Sequence, residues 1–258
     1  MTMTVGMINT VLTGTPTDQP ALLIAHGLYG SARNWGAIAK RMSDRRQVIS
    51  VDMRNHGQSE WNDSHSYPDM ATDLAEVITA HGAPMDVIGH SMGGKAAMVL
   101  ALQHPALVRR LIVADIAPVP YSHTQVGFIA AMRGLDLSQV EKRSDADRLL
   151  TAEIKEAGVR AFLLQSLDIK AKRWRLNLDV LEAEMPKIMG FPDLDLQFDG
   201  PVLFLSGGAS DYVQPAHRAG IKALFPKARF ARIPDTGHWL HAEKPREFCQ
   251  IAQAFLNA

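Results

Sequence analysis

The chain has 258 residues, 47% of them hydrophobic and 21% charged, and its 27 basic and 27 acidic side chains give a formal net charge of zero. That length suits one large domain or a domain with an insertion, and the charge balance argues against a nucleic-acid partner. No run approaches the ~18 apolar residues of a membrane span, no secretory signal pattern opens the chain, and the lone Cys249 excludes an intrachain disulfide, so a reducing cytoplasm is the expected compartment.

The first half reads as short apolar runs alternating with helices. Ala21–Ala25 is a strand ending at His26-Gly27, and Gln47–Val51 is another ending at Asp52. Between them Trp35, Ile38, Ala39 and Met42 recur at helical spacing. Pro68 opens a helix with Met70, Leu74, Val77 and Ile78 on one face, stopping near His81-Gly82. Met85–Ile88 and Leu111–Ala114 are further strands, with a packed helix from Gly93 to Leu102 between them. Such alternation predicts βαβ units and a mostly parallel sheet, whose ligands bind beyond the carboxyl ends of the strands. His26, Asp52, Ser91 and Asp115 all fall just past such ends.

From Val119 to Asp199 no strand-like run occurs. Ser138–Glu141 and Ser144–Asp147 fit capping boxes, and Val159, Phe162, Leu163 and Leu167, then Leu178, Leu181 and Met185, recur on helical faces. The expected organisation is a core of residues 1–118 and 200–258 with a helical cap at 119–199. Strands resume at Pro201–Ser206 and Ala228–Ile233, and a helix from Arg246 to Leu256 closes the chain.

The sharpest chemical signal is Gly89-His90-Ser91-Met92-Gly93, a G-x-S-x-G between a strand and a helix. That context defines a nucleophile elbow, in which a strained turn exposes the serine oxygen; the competing role for Ser91 is a helix cap. A serine needs a base. His238, in Thr236-Gly237-His238-Trp239 after the last strand, has the place that the order nucleophile, acid, histidine requires. Two aspartates compete to orient it. Asp211 follows the strand ending at Ser206, and Asp115 follows the one ending at Ala114. Both are expected near His238, only one accepting its Nδ1–H at a time. The backbone N–H groups of Leu28 and Met92 are the expected oxyanion donors. Lys95, on the elbow helix, is free to pair with a nearby carboxylate, and surface or capping roles suffice for His104, His217 and His241. No metal-ligand spacing, Walker pattern or dinucleotide fingerprint occurs, so no cofactor is expected.

Several of these segments together resemble one family. His26-Gly27-Leu28-Tyr29-Gly30-Ser31, Asp52-Met53-Arg54-Asn55-His56-Gly57-Gln58-Ser59, the Ser91 elbow, Asp115-Ile116-Ala117-Pro118 and Gly237-His238-Trp239 are similar to the α/β-hydrolase superfamily. Within it they resemble the bacterial YbfF-type esterases and their mitochondrial ABHD-eleven-type relatives. The resemblance implies an α/β fold with a mostly parallel sheet of about eight strands flanked by helices, an inserted helical cap, and hydrolysis of small-molecule acyl esters or thioesters. In that branch the aspartate of the Asp-Ile-x-Pro turn pairs with the histidine, which favours Asp115, whereas spacing favours Asp211. His26, Tyr29, Trp35, Arg54, Asn55, His90 and Trp239 are candidates to line the substrate pocket, although Arg54 and Asn55 also suit a structural turn. The rival readings are an acyl-CoA thioesterase with the same triad and a non-catalytic ligand receptor on the same fold. The sequence leaves the oligomeric state open.

Overall fold

The computed structural model describes all 258 residues. Eight strands form one sheet: β1 (Thr2–Val5), β2 (Ile8–Thr13), β3 (Leu22–Ala25), β4 (Val48–Asp52), β5 (Met85–His90), β6 (Val108–Ala114), β9 (Val202–Gly207) and β10 (Ala228–Ile233). Their spatial order is β1-β2-β4-β3-β5-β6-β9-β10. β1, β2 and β4 pair antiparallel, and every pairing from β4 to β10 is parallel. The inner parallel strands are largely apolar because both faces are covered, whereas the edge strand β10 carries exposed Arg229 and Arg232. Leu22, Ile24, Ile88, Ile112, Leu203 and Leu205 face one layer, made by α1 (Gly36–Met42) and α11 (Pro245–Leu256). Leu23, Ile49, Val87, Leu111, Val113 and Phe204 face the other, with α2 (Tyr67–His81) and α3 (Met92–Gln103). Cys249 is buried in the α11 layer, and burial pushes its thiol up to about 11.

Between β6 and β9 the chain adds nothing to this sheet. It runs through α4 (Val126–Gly134), α5 (Arg143–Leu150), α6 (Ala157–Leu163), a short hairpin of β7 (Leu167–Asp168) and β8 (Arg173–Trp174), then α7 (Leu178–Ala183) and α8 (Met185–Met189). After β9 come α9 (Arg218–Leu224), β10, and α10 (Leu240–Glu243) ahead of α11.

The sequence expectations depart from this in three places. The β1–β2 hairpin was not expected; its outer strand is largely exposed, so it lacks the apolar run of its neighbours. Leu167 belongs to β7 rather than to a helical face. The two serine capping boxes are also displaced. Asp136 caps the turn at Leu137–Gln139, accepting from the Ser138 N–H at 3.0 Å. Ser144 lies inside α5, and the Asp145 carboxylate takes the N–H groups of Glu141 and Lys142. An aspartate reaches these orphan donors as well as a serine does and adds a favourable charge.

Candidate active site

β5 ends at His90 and α3 begins at Met92, so Ser91 alone makes the turn between them. Its φ is 52°, a left-handed backbone that costs of order 1–3 kcal/mol in a non-glycine residue. The surrounding glycines make so tight a turn fit. A Cβ on Gly89 would lie 2.3 Å from the Gly93 carbonyl oxygen, and one on Gly93 would lie 2.4 Å from that of His26. The turn is secured by the Ser91 N–H donating to Ala114 at 3.1 Å and the Lys95 N–H donating to Ser91 at 3.0 Å. The Ser91 side chain stands half-buried in a largely apolar cavity, where His238 also stands.

The His238 ring donates from Nδ1 to Oδ2 of Asp115 at 2.8 Å. Asp115 is wholly buried, and it too has a positive φ, 51°. Its Oδ1 accepts the Gly207 N–H at 2.9 Å, and its Oδ2 also accepts the Ser210 hydroxyl. β9 separates β6 from β10, so the carboxylate must reach across the end of β9 to meet a histidine that follows β10. Gly207 makes that reach short. A Cβ there would lie 2.2 Å from the Gly237 carbonyl oxygen, so the histidine loop lies directly on the strand end. Asp211, the other candidate acid, is exposed and makes no hydrogen bond to His238. Tyr212 beside it turns inward and stacks on the His238 ring, centroids 4.1 Å apart.

The Leu28 N–H has no acceptor within the protein. Met92 is the first residue of α3, where an N–H has no carbonyl one turn back to bond. Both residues line the cavity beside Ser91. The space unfilled by atoms measures about 810 Å³, part of it open to solvent. Met92, Ile116, Phe128, Val159, Phe162, Leu163, Ile188 and Met189 make much of the wall apolar.

Of the pocket candidates, His26, Tyr29, Trp35, His90 and Trp239 line this cavity. Arg54 and Asn55 do not. Arg54 is consumed by a bidentate ion pair with Asp73, at 2.7 and 2.8 Å. Asn55 is buried in a turn, bonding Ser64, His65, Asn62 and Asn177. His241 is not a surface group: it is buried, and its ring stacks on Trp35 at 4.2 Å. Burial pushes its pKa down to about 3. His90 donates from Nε2 to the His238 carbonyl at 2.8 Å, which fixes the loop carrying the histidine, and burial holds its pKa well below the usual histidine range.

Lys95 meets no carboxylate. Its ammonium donates to the carbonyls of Val119, Met189 and Gly190 and lies 4.8 Å over the Tyr121 ring. Burial pushes its pKa down to about 7, while three carbonyl acceptors and an aromatic face favour the charged form. Ser210, Tyr212 and Tyr121 are the contributors that sequence reasoning missed, and Lys95 is one it assigned the wrong partner. Each acts through a distant contact that no local spacing encodes. No trio of His, Cys, Asp or Glu side chains is placed to hold a metal ion, and no helix is long and apolar enough to cross a membrane.

Known proteins share this fold and resemble this sequence. The α/β hydrolase fold family model matches residues 20–245. The chain is 45% identical over 249 residues to mouse "sn-1-specific diacylglycerol lipase ABHD11", covering 92% of this chain and 81% of that protein. It is 37% identical over 240 residues to Escherichia coli K12 "Esterase YbfF", covering 92% of each. The solved structure of "Marine microorganism esterase" superposes with a TM-score of 0.89 at 39% identity, covering 95% of this chain and 98% of that one. The chain belongs to the α/β-hydrolase family, in the branch of the YbfF and ABHD11 proteins, and is a serine ester hydrolase.

Proposed function

We propose that Ser91 is the nucleophile, His238 the general base and Asp115 the orienting acid of a carboxylic-ester hydrolase. The observation that carries this reading is the 2.8 Å bond from His238 to a wholly buried Asp115, in a cavity that also holds the strained Ser91. Ser91 Oγ attacks the acyl carbonyl while His238 Nε2 takes its proton. The oxyanion of the tetrahedral intermediate accepts from the Leu28 and Met92 N–H groups. The C–O bond to the alcohol breaks as His238 returns the proton to the leaving oxygen. Water, deprotonated by the same nitrogen, then attacks the acyl-enzyme, and the acid leaves as Ser91 recovers its proton.

Residues 119–199 act as a cap that forms the acyl side of the cavity. Phe128, Val159, Phe162, Leu163, Ile188 and Met189 come from this segment, and Lys95 ties both of its ends to the elbow helix. The substrate class is esters of small to medium acyl groups. Oxygen esters are favoured over acyl-CoA by the absence of a free cation. Lys95 is the one lysine or arginine on the cavity wall, and its three donors are already on carbonyls. The lone buried thiol of Cys249 supports a reducing, cytoplasmic compartment.

Ser91→Ala tests the reading. Hydrolysis of short acyl esters should fall by about 10⁶ in kcat with the fold retained, and a fluorophosphonate should label the wild type at Ser91 only. Activity kept above a tenth in the purified variant would remove Ser91 from the mechanism. A wild type that takes the label yet hydrolyses nothing across a panel of esters and acyl-CoAs of graded length would favour a receptor.

A further inference from the structure

The cavity accounts for Ser91, His238 and the N–H groups of Leu28 and Met92, but not for the Asp52–Ser59 motif. That motif closes a turn in which Gly57, with φ 60°, lies against the Asp52 carboxylate. The Asp52 carboxylate itself accepts from Asn9, Ala32 and Gln58. The turn delivers one wholly buried side chain, His56, to the underside of the Gly27–Gly30 loop. We infer that His56, together with His26, is a positioning residue that aims the Leu28 N–H as an oxyanion donor. This inference rests on the proposed role of Ser91.

The argument is one of peptide planes. The Leu28 N–H and the Gly27 carbonyl belong to the same trans peptide and therefore point in opposite directions. That carbonyl accepts from His26 Nδ1 at 2.7 Å and from the Gly30 N–H at 3.0 Å. Holding the carbonyl on that side leaves the Leu28 N–H directed the other way. The next peptide is pinned independently, because the Tyr29 N–H donates to His56 Nε2 at 3.1 Å. Two consecutive planes, one on each side of the Leu28 Cα, are each held by one histidine. The first plane has the Gly30 N–H besides; the second has His56 alone, and Tyr29 after it has φ 64°, a conformation uncommon for a bulky residue.

The partners also fix the tautomers. His56 Nδ1 faces the Arg54 carbonyl at 2.9 Å, so it carries the proton and Nε2 is the acceptor that Tyr29 needs. His26 Nδ1 faces the Gly27 carbonyl, so its Nε2 accepts the Met53 N–H at 2.9 Å. A second proton on either ring would set an N–H against an N–H. Burial opposes that proton, pushing His26 down to about 4 and His56 down to about 3.

The two rings touch the loop through different nitrogens, which gives a crossed test. At position 56 the loop contact is made by Nε2, which a glutamine oxygen replaces and asparagine cannot reach. At position 26 it is made by Nδ1–H, which an asparagine amide replaces and glutamine does not. His56→Asn and His26→Gln should each lower kcat by about 10² with KM within about twofold, the signature of a lost oxyanion donor. His56→Gln and His26→Asn should retain kcat to within about fivefold. Affinity for a trifluoromethyl ketone, whose adduct places an alkoxide on the Leu28 N–H, should fall in step with kcat across the four variants. All four are first compared by thermal melting, and each position tests the inference separately should a variant of the other not fold. Equal losses for Asn and Gln at both positions, or losses expressed in KM alone, would overturn the inference while leaving Ser91 in place. Failure of Ser91→Ala to abolish activity would instead remove the reading beneath it.

Discussion

Two loops of this protein carry an aspartate just past a parallel strand, and they differ in everything except that position. After β6, Asp115 is wholly buried, left-handed in φ, and accepts from Gly207, Ser210 and His238. After β9, Asp211 is exposed and accepts from none of them. A carboxylate in water is solvated and mobile, whereas one held by three donors has a single direction in which to accept. Being past a strand end puts an aspartate in reach of the site; burial and a complete set of donors are what the proposed orienting role of Asp115 rests on.

The sharpest break in this comparison is Asp115→Asn. It leaves the volume intact but presents the wrong partner to Nδ1, and kcat should fall by about 10⁴. A near-normal rate there, with the same loss in Asp211→Asn, would exchange the roles of the two loops. Gly207→Ala comes next. Its Cβ would meet the Gly237 carbonyl at 2.2 Å, so the histidine loop must shift off the strand end. A displacement of about 1 Å should lower kcat by about 10², and a wild-type rate would show that the loop does not depend on that contact. Ser210→Ala removes one donor from the buried carboxylate without touching His238. We expect kcat lower by about tenfold with KM held, the low end of the ~1.5–3 kcal/mol of a hydrogen bond to a charged group, since the Gly207 and His238 donors remain. Asp211→Asn should stay within about twofold of wild type, as exposed substitutions usually do. If instead both single aspartate variants lost little and the double variant lost about 10⁴, the two carboxylates would share the duty.

The same contrast separates what the sequence discloses from what it withholds. Strands β3, β4, β5 and β9 and the Leu111–Ala114 part of β6 are legible because a strand covered on both faces is largely apolar, and the edge strand β10 is legible from its apolar residues between the exposed Arg229 and Arg232. The Ser91 elbow is legible because one five-residue segment contains its glycines and its serine. The choice of acid is not legible, because it turns on whether the loop after β10 lies over the end of β9. That closeness is set by Gly207 against Gly237, which spacing does not record; only the likeness of the Asp115–Pro118 turn to its branch pointed to Asp115. Lys95 was misjudged for a similar reason: its acceptors, at Val119 and at Met189-Gly190, come from the two ends of a segment whose path only the fold defines. Arg54 and Asn55 resembled pocket residues because their loop does serve the cavity, but through His56.

If the acid comes from β6, as proposed, the turn after β9 serves the site through Ser210, the Gly207 amide and Tyr212 on the His238 ring. Asp211 and Gln214 are exposed there and stand on the rim of a cleft beside His238. An engineer therefore has, next to the reacting atoms, a stretch of chain whose length and polarity can be varied to favour one alcohol over another.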